Sequence, residues 1–193
     1  MQLIKDADRY LFHLINNKWQ NSFFDSLMPL VRNSNLWLPL YLFLLLFALM
    51  NIRNSGWFIL MAVCTGALTD LLSSHIIKNA IFRLRPCNDP ALLGTIRVLA
   101  SYCPQSSSFT SSHAANHFGI ATFICYTLYP LTKKWIFLTY FWAGLIVYAQ
   151  LYVGVHYPTD ILGGAVVGVL AGLLTGWIYQ KKWGSITPLN QEA

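Results

Sequence analysis

The chain is arranged around a histidine and an aspartate four residues apart, in Tyr152-Val153-Gly154-Val155-His156-Tyr157-Pro158-Thr159-Asp160. Proline suits the first turn of a helix, so a helix is expected to begin near Pro158. Asp160 then falls in its first turn and His156 just outside it. A carboxylate that hydrogen-bonds one imidazole nitrogen fixes the tautomer and leaves the other nitrogen free to attack or to carry a proton. The same spacing also serves ordinary capping, so the pair gains weight only from what surrounds it.

Several other side chains could join it. Ser111-Ser112-His113 opens a long apolar segment, where a serine is either a plain N-cap or part of an anion site. His113 and His117 have i, i+4 spacing that zinc can use, but no HExxH pattern or nearby cysteine pair accompanies them. No metal and no other cofactor is therefore expected. Lys78, Arg83, Arg85 and Arg97 crowd one loop, as headgroup cations or as an anion site. Cys87 and Cys103 share that loop and bridge if it faces an oxidising compartment, while Cys64 and Cys125 read as packing residues.

The elements that must position these residues follow from composition. Of the 193 residues, 55% are hydrophobic and only 10% charged, against about a quarter charged in a soluble domain. This is an all-α, polytopic membrane bundle forming one unit over residues 1–193. Nothing at the start reads as a cleavable signal peptide. Residues 1–32 show apolar positions spaced three and four apart, which predicts an amphipathic helix lying in the interface or against other helices. A sixth span over residues 10–32 is the alternative. Five spans are predicted: Leu36–Ile52, Trp57–Ile77, 111–131, Trp135–Val155 and Ile161–Tyr179. Asp70 inside the second is costly unless paired. Gly164, Gly168, Gly172 and Gly176 line one face of the fifth and predict close helix packing.

Parity brings the polar groups together. The second span ends at Lys78, the third begins at Ser111, the fourth ends just before His156, and the fifth departs after it. All lie on one membrane face with the loop 78–110. Helix N-termini beside Lys78 and Arg85 make an anion site, and phosphate suits it. Nucleic acid does not, because the chain has little polar surface on which to build an exposed basic face.

With that convergence in place, the chain resembles the type 2 phosphatidic-acid phosphatase family. Lys78-Asn79-Ala80-Ile81-Phe82-Arg83-Leu84-Arg85-Pro86 is similar to its first signature, a lysine, six residues, then Arg-Pro. Phe109-Thr110-Ser111-Ser112-His113-Ala114 resembles the second, usually Pro-Ser-Gly-His. The stretch ending in His156 and Asp160 resembles the third, Ser-Arg, five residues, His, three residues, Asp. The chain departs from the pattern at Thr110 and Ser112, and at Ala149-Gln150, which stand in place of Ser-Arg.

The resemblance implies a metal-independent phosphatase acting on a lipid phosphate or diphosphate, through a phosphohistidine on His156. Asp160 would orient that nucleophile, and His113 would serve as acid and then base. Lys78, Arg85, Ser111, Ser112 and Gln150 would bind phosphate. Glutamine donates hydrogen bonds but no charge, and Arg83 or Arg97 is the expected substitute for the missing arginine. The first substrate candidates are undecaprenyl diphosphate and a phosphatidyl phosphate. The chain would sit in a bacterial cytoplasmic membrane, with its site facing the periplasm or exterior. The positive-inside rule prefers the reverse, because Lys5, Arg9, Lys18, Arg32 and the loop cations share the site's side. Two other classes fit parts of the pattern. One is a weakened lipid-binding or scaffold member, because of Gln150. The other is a small transporter, with Asp70, His75 and His117 as a proton path.

Overall fold

The computed structural model describes residues 2–186, so the ends of the unit expected over 1–193 lie outside the described residues. No strand occurs among the described residues. Among the described residues, four helical stretches are long and apolar enough to cross a membrane: Ser34–Asn51, Ser55–Ala80, Ser112–Tyr152 and Pro158–Trp183. The third has 41 residues and would run about 60 Å if straight, twice the hydrocarbon core. It is folded back on itself. Lys133 takes φ 49°, and the Tyr140 hydroxyl donates to Thr122 Oγ1 at 2.9 Å across the resulting hairpin. With this hairpin counted as two, the described residues make five passes, the number that the apolar runs predict.

In chain order, α1 is Gln2–His13, α2 Ser22–Val31, α3 Leu38–Asn51 and α4 Ser55–Asp70. A wide π-helical turn, Leu71–Ile77, carries α4 into the single turn α5, Lys78–Ala80. The hairpin is α6, Ser112–Thr132, with α7, Leu138–Tyr152, and the last helix is α8, Pro158–Trp183. The predicted helix over 1–32 is in fact two. The α-helical turns of α1 loosen through Leu14–Lys18, and α2 restarts where the Asn21 side chain accepts from Phe24 N–H at 2.9 Å. That cap is a local hydrogen bond competing with helix continuation, and it excludes one continuous span over 10–32. Both helices lie against the bundle. Phe12 is 1% exposed beneath Tyr157, with ring centroids 5.5 Å apart, and Val31 packs with Ala149 and Val153.

The bundle centre is the crossing of α6 and α8, where backbones touch. A Cβ on Gly168 would collide with the Ala115 carbonyl oxygen and come within 2.8 Å of Gly119 N. In lipid, where apolar contact alone gives helices little reason to associate, such close packing and interhelical hydrogen bonds carry assembly. Thr65 and Thr175 hydroxyls meet at 2.7 Å, and the Thr69 hydroxyl donates to Asn116 Oδ1 at 2.8 Å. Gly168→Ala is therefore expected to cost about 1–3 kcal/mol of stability, seen as a lower melting midpoint in detergent. Gly144→Ala leaves that midpoint unchanged or raised, because nothing lies within 4 Å of a Cβ there.

A long loop, residues 81–111, caps the end of the bundle where α5, α6, α7 and α8 meet. Cys87 and Cys103 form a disulfide across it, with Cα atoms 6.0 Å apart. Asn16 pins it from outside: its amide donates to Arg97 O and Tyr152 O, each at 2.8 Å, and its oxygen accepts from Arg97 N–H.

Candidate active site

His156 lies in the short link between α7 and α8, 2% exposed. Arg85 Nη1 stands 2.9 Å from its Nε2. A guanidinium has only donors, so Nε2 must accept, and the ring proton belongs on Nδ1. Nδ1 faces Asp160 Oδ2 at 3.5 Å, with Ser108 Oγ also at 3.5 Å. The ring is thus held in one tautomer with its lone pair aimed at a cation. A 3.5 Å separation is loose for a hydrogen bond, and catalytic bonds of this kind commonly tighten on substrate binding.

Asp160 is fully buried and saturated. Oδ2 accepts from Tyr157 N–H at 2.8 Å, closing the cap of α8, and from the Ser108 hydroxyl. Oδ1 accepts from Arg83 Nη1 at 2.8 Å. Arg83 in turn is clamped on its other side by Asp8, and its guanidinium stacks on the Tyr157 ring at 4.1 Å. Asp8 also accepts from Thr159 N–H at 2.8 Å and from the Thr159 hydroxyl at 2.7 Å. Burial works against the Arg83 charge, but the Asp160 and Asp8 carboxylates outweigh it and hold the guanidinium pKa above its ordinary value. Arg83 is therefore committed to positioning Asp160 and is not a free phosphate cation. A groove of about 790 Å³ on the Asp8 side of this clamp is lined by Lys5, Asp8, Arg9, Arg83 and Tyr157 among others, and His156 is not part of its lining.

Arg85 is 4% exposed, and its partners are neutral: Ser106 O at 3.0 Å, Val155 O at 3.2 Å, Ser107 O at 3.3 Å, Ser106 Oγ and the imidazole. Burial pushes its pKa down, which marks a cation short of counter-charge. Lys78 reaches in from α5 and donates to Ser112 Oγ at 2.7 Å, where Ser73 and Ser74 hydroxyls also converge. Asp70 accepts from Ser74 at 2.8 Å and is electrostatically coupled to Lys78, so its place inside the span is explained. Ser111 serves as the N-cap of α6, its oxygen accepting from Ala114 N–H at 3.3 Å. His113 sits in the first turn of α6, within electrostatic reach of His156 and Lys78. His117 stacks parallel to it at 6.1 Å, and no group of three or more metal-ligating side chains occurs among the described residues.

Of the residues singled out from sequence, His156, Asp160, His113, Lys78, Arg85 and Ser112 meet at this end of the bundle. Gln150 is buried at 1% exposure near it, and neither amide atom has a partner. Arg97 is not in the site. It pairs with Asp25 and Asn16 on the outer side of the loop, because α2 presents a carboxylate there. Asp8 and Ser108 are the residues that sequence reasoning missed. Their only signals were an acid four positions before the buried Phe12, and the run Ser106-Ser107-Ser108 before the second motif.

Burial pushes the His156 pKa down to about 4, against the hydrogen bond that the ring donates to Asp160 and reinforced by Arg85 and Lys78. The ring is neutral at pH 7. For a depressed base the sign is fixed: its contribution to stability is full above the unfolded value near 6.5 and declines as pH falls toward 4. Nitrogen-15 NMR of histidine-labelled protein is expected to show His156 still neutral at pH 5.5. Arg85→Leu raises its midpoint.

The comparisons with known proteins agree with this geometry. Residues 56–184, more than half of the chain, match the model of the PAP2 superfamily. The lipid A 4′-phosphatase of Bacteroides thetaiotaomicron is 28% identical over 94% of this chain and 80% of its own. That of Porphyromonas gingivalis is 26% identical over 100% and 83%. Phosphatidylglycerophosphatase B of Bacillus subtilis is 30% identical over 87% and 79%. Among solved structures, Aquifex aeolicus LpxE superposes with a TM-score of 0.66 at 27% identity, covering 86% of this chain and 92% of that one.

Proposed function

Because the chain belongs to the PAP2 superfamily and its relatives above are lipid phosphatases, we propose that it hydrolyses a phosphate monoester on a membrane lipid through a phosphohistidine at His156. Lipid A 4′-phosphate is the preferred substrate in this reading, supported by the two lipid A 4′-phosphatases above. Phosphatidylglycerol phosphate is the second, supported by the Bacillus subtilis enzyme. The relatives move the reading away from undecaprenyl diphosphate.

One observation carries the mechanism: a neutral imidazole with its proton toward Asp160 and its lone pair toward Arg85. An arriving phosphoryl group offers Arg85 oxygens in place of the ring nitrogen, which frees Nε2 to attack phosphorus. As the P–N bond forms and the bond to the lipid oxygen breaks, His113 gives that oxygen its proton. Water then attacks the phosphohistidine, His113 takes the water proton, and phosphate leaves with both rings restored. Arg85, Lys78 and the open N–H groups at the start of α6 stabilise the phosphoryl charge. The residues 1–193 form one phosphatase unit in this reading.

The site faces the periplasm or exterior. The Cys87–Cys103 disulfide beside it fits an oxidising compartment. The cation count that argued the reverse is reduced by pairing, since Arg83, Arg97 and Arg9 each hold a carboxylate. Purified protein in detergent, without added metal, is offered lipid A, phosphatidylglycerol phosphate, phosphatidic acid and undecaprenyl diphosphate. Release from lipid A, lost in His156→Ala, supports the reading. Release from another lipid alone corrects the substrate, and His156-independent release or none refutes the mechanism.

Asp8 gives a test of positioning. Asp8→Asn removes the charge that holds Arg83 against Asp160 without touching the phosphate side of the ring. A fall in kcat of about 10- to 100-fold with KM little changed is expected, measured by steady-state phosphate release.

A further inference from the structure

Arg32 closes the last turn of α2 and is half-buried. It has no carboxylate within ion-pair distance among the described residues; its side chain lies over the Tyr102 ring, 5.9 Å from the centroid. Its position is fixed by its neighbours. Val31 is 3% exposed in a cluster with Ile146, Ala149 and Val153 of the α7 end, and Trp37 Nε1 donates to the Val31 carbonyl at 2.8 Å. From there the Arg32 charge is felt by two residues already placed at the site, Arg85 and His113. Neither Arg32 nor Arg85 forms an ion pair among the described residues, since Arg32 lies over Tyr102 and Arg85 is held by carbonyls, a hydroxyl and the imidazole.

Gln150 supplies an independent observation. Both of its amide atoms are buried without a partner, at a cost of about 1–3 kcal/mol for each polar group left unpaired. Its direction follows from the helix. At roughly 100° per residue, Gln150 falls between the face of Ile146 and Ala149, which meets α2, and the face of Val147 and Leu151, which meets Ala114 and Ile161. The amide therefore opens into the seam between the end of α2 and the start of α6, the seam that holds Arg32 and His113. An unpaired amide and an unpaired guanidinium on one seam, beside a second cation at Arg85, ask for an anion with several acceptor oxygens.

We propose that Arg32 is a phosphate-binding residue of this site, acting with the Gln150 amide on the side where His113 meets the leaving oxygen. Arg32 supplies charge and Gln150 a neutral donor, so the phosphoryl group is gripped from α2 and α7 as well as from Arg85 and Lys78. This places a cation from the N-terminal helices, outside the three sequence motifs, in the substrate cradle. It rests on the phosphatase reading above.

The test uses full-length protein in detergent, with orthovanadate as the phosphate analogue. Its inhibition constant, KM and kcat are measured on the lipid that the wild type hydrolyses. Arg32→Gln is expected to raise KM and the orthovanadate constant by about 10- to 100-fold, the worth of one charge-assisted hydrogen bond. Arg32→Lys recovers part of the loss as a point charge, and Arg32→Gln with Gln150→Arg recovers at least tenfold by returning a guanidinium to the seam. Values for Arg32→Gln within twofold of the wild type would overturn the proposal. So would a loss that neither Arg32→Lys nor the double variant relieves, since that marks a structural role. Orthovanadate-induced thermal stabilisation, compared between wild type and Arg32→Gln, reads the same contact without turnover. An inactive wild type that still shows an Arg32-dependent shift would refute the phosphatase reading and keep the binding residue. An equal shift in both refutes Arg32 itself.

Discussion

His156→Ala is expected to abolish phosphate release, a fall of about 10⁴-fold or more in kcat, with binding of the lipid nearly intact. The size follows from the site's division of labour. Arg85, Lys78 and the α6 N-terminus bind and polarise the phosphoryl group, but none offers a lone pair to phosphorus. Only Nε2 does, and Asp160, Ser108 and the Arg83 clamp are arranged to hold that ring. His113→Ala separates the two histidines. Its loss is about 10²- to 10⁴-fold on a lipid phosphate, because the alkoxide then leaves without a proton. On an aryl phosphate, whose leaving group needs no proton, most of the first step returns. His156→Ala shows no such recovery. Quench-flow trapping of acid-labile phosphoenzyme reads the difference directly, and its appearance in His156→Ala would overturn the assignment.

The next largest effect is expected at Arg85. Arg85→Lys keeps the charge but not the fork that joins Ser106, Ser107, Val155 and His156. A lysine ammonium is a compact point charge with three donors, and it cannot span those acceptors. Activity falls about 10²- to 10³-fold, as when one preorganised donor to a developing charge is removed. Arg85→Leu does more, since buried carbonyls lose their donor, and stability drops by about 2–4 kcal/mol. Melting midpoints and steady-state rates in the same detergent separate the two variants: Lys loses rate, and Leu loses rate and stability together.

Both effects depend on residues that short-range patterns in the chain already mark. The membrane class, the five passes and the shared face of Lys78, Ser112, His113 and His156 follow from apolar length and parity, which are one-dimensional properties. The glycine face of α8 is legible for the same reason, because a four-residue period fixes one side of a helix wherever that side docks. The His156 tautomer is half legible: the i, i+4 spacing to Asp160 places the acceptor, but Arg85 on the far nitrogen comes from 71 residues away.

The tertiary structure decided which charges are spent and which are free. Arg83 and Arg97 look alike in the loop sequence, yet Asp8 takes one and Asp25 the other, from helices whose register no periodicity reports. The break at Asn21 turned one expected helix into two, and the second ends with Arg32 beside the seam that Gln150 faces. Sequence spacing determines what lies on one face of one helix, because rise and turn per residue are fixed by the backbone. Which faces meet, and so whether a buried cation finds a carboxylate or waits for a phosphate, is set by packing between segments far apart in the chain, and only the folded bundle contains it.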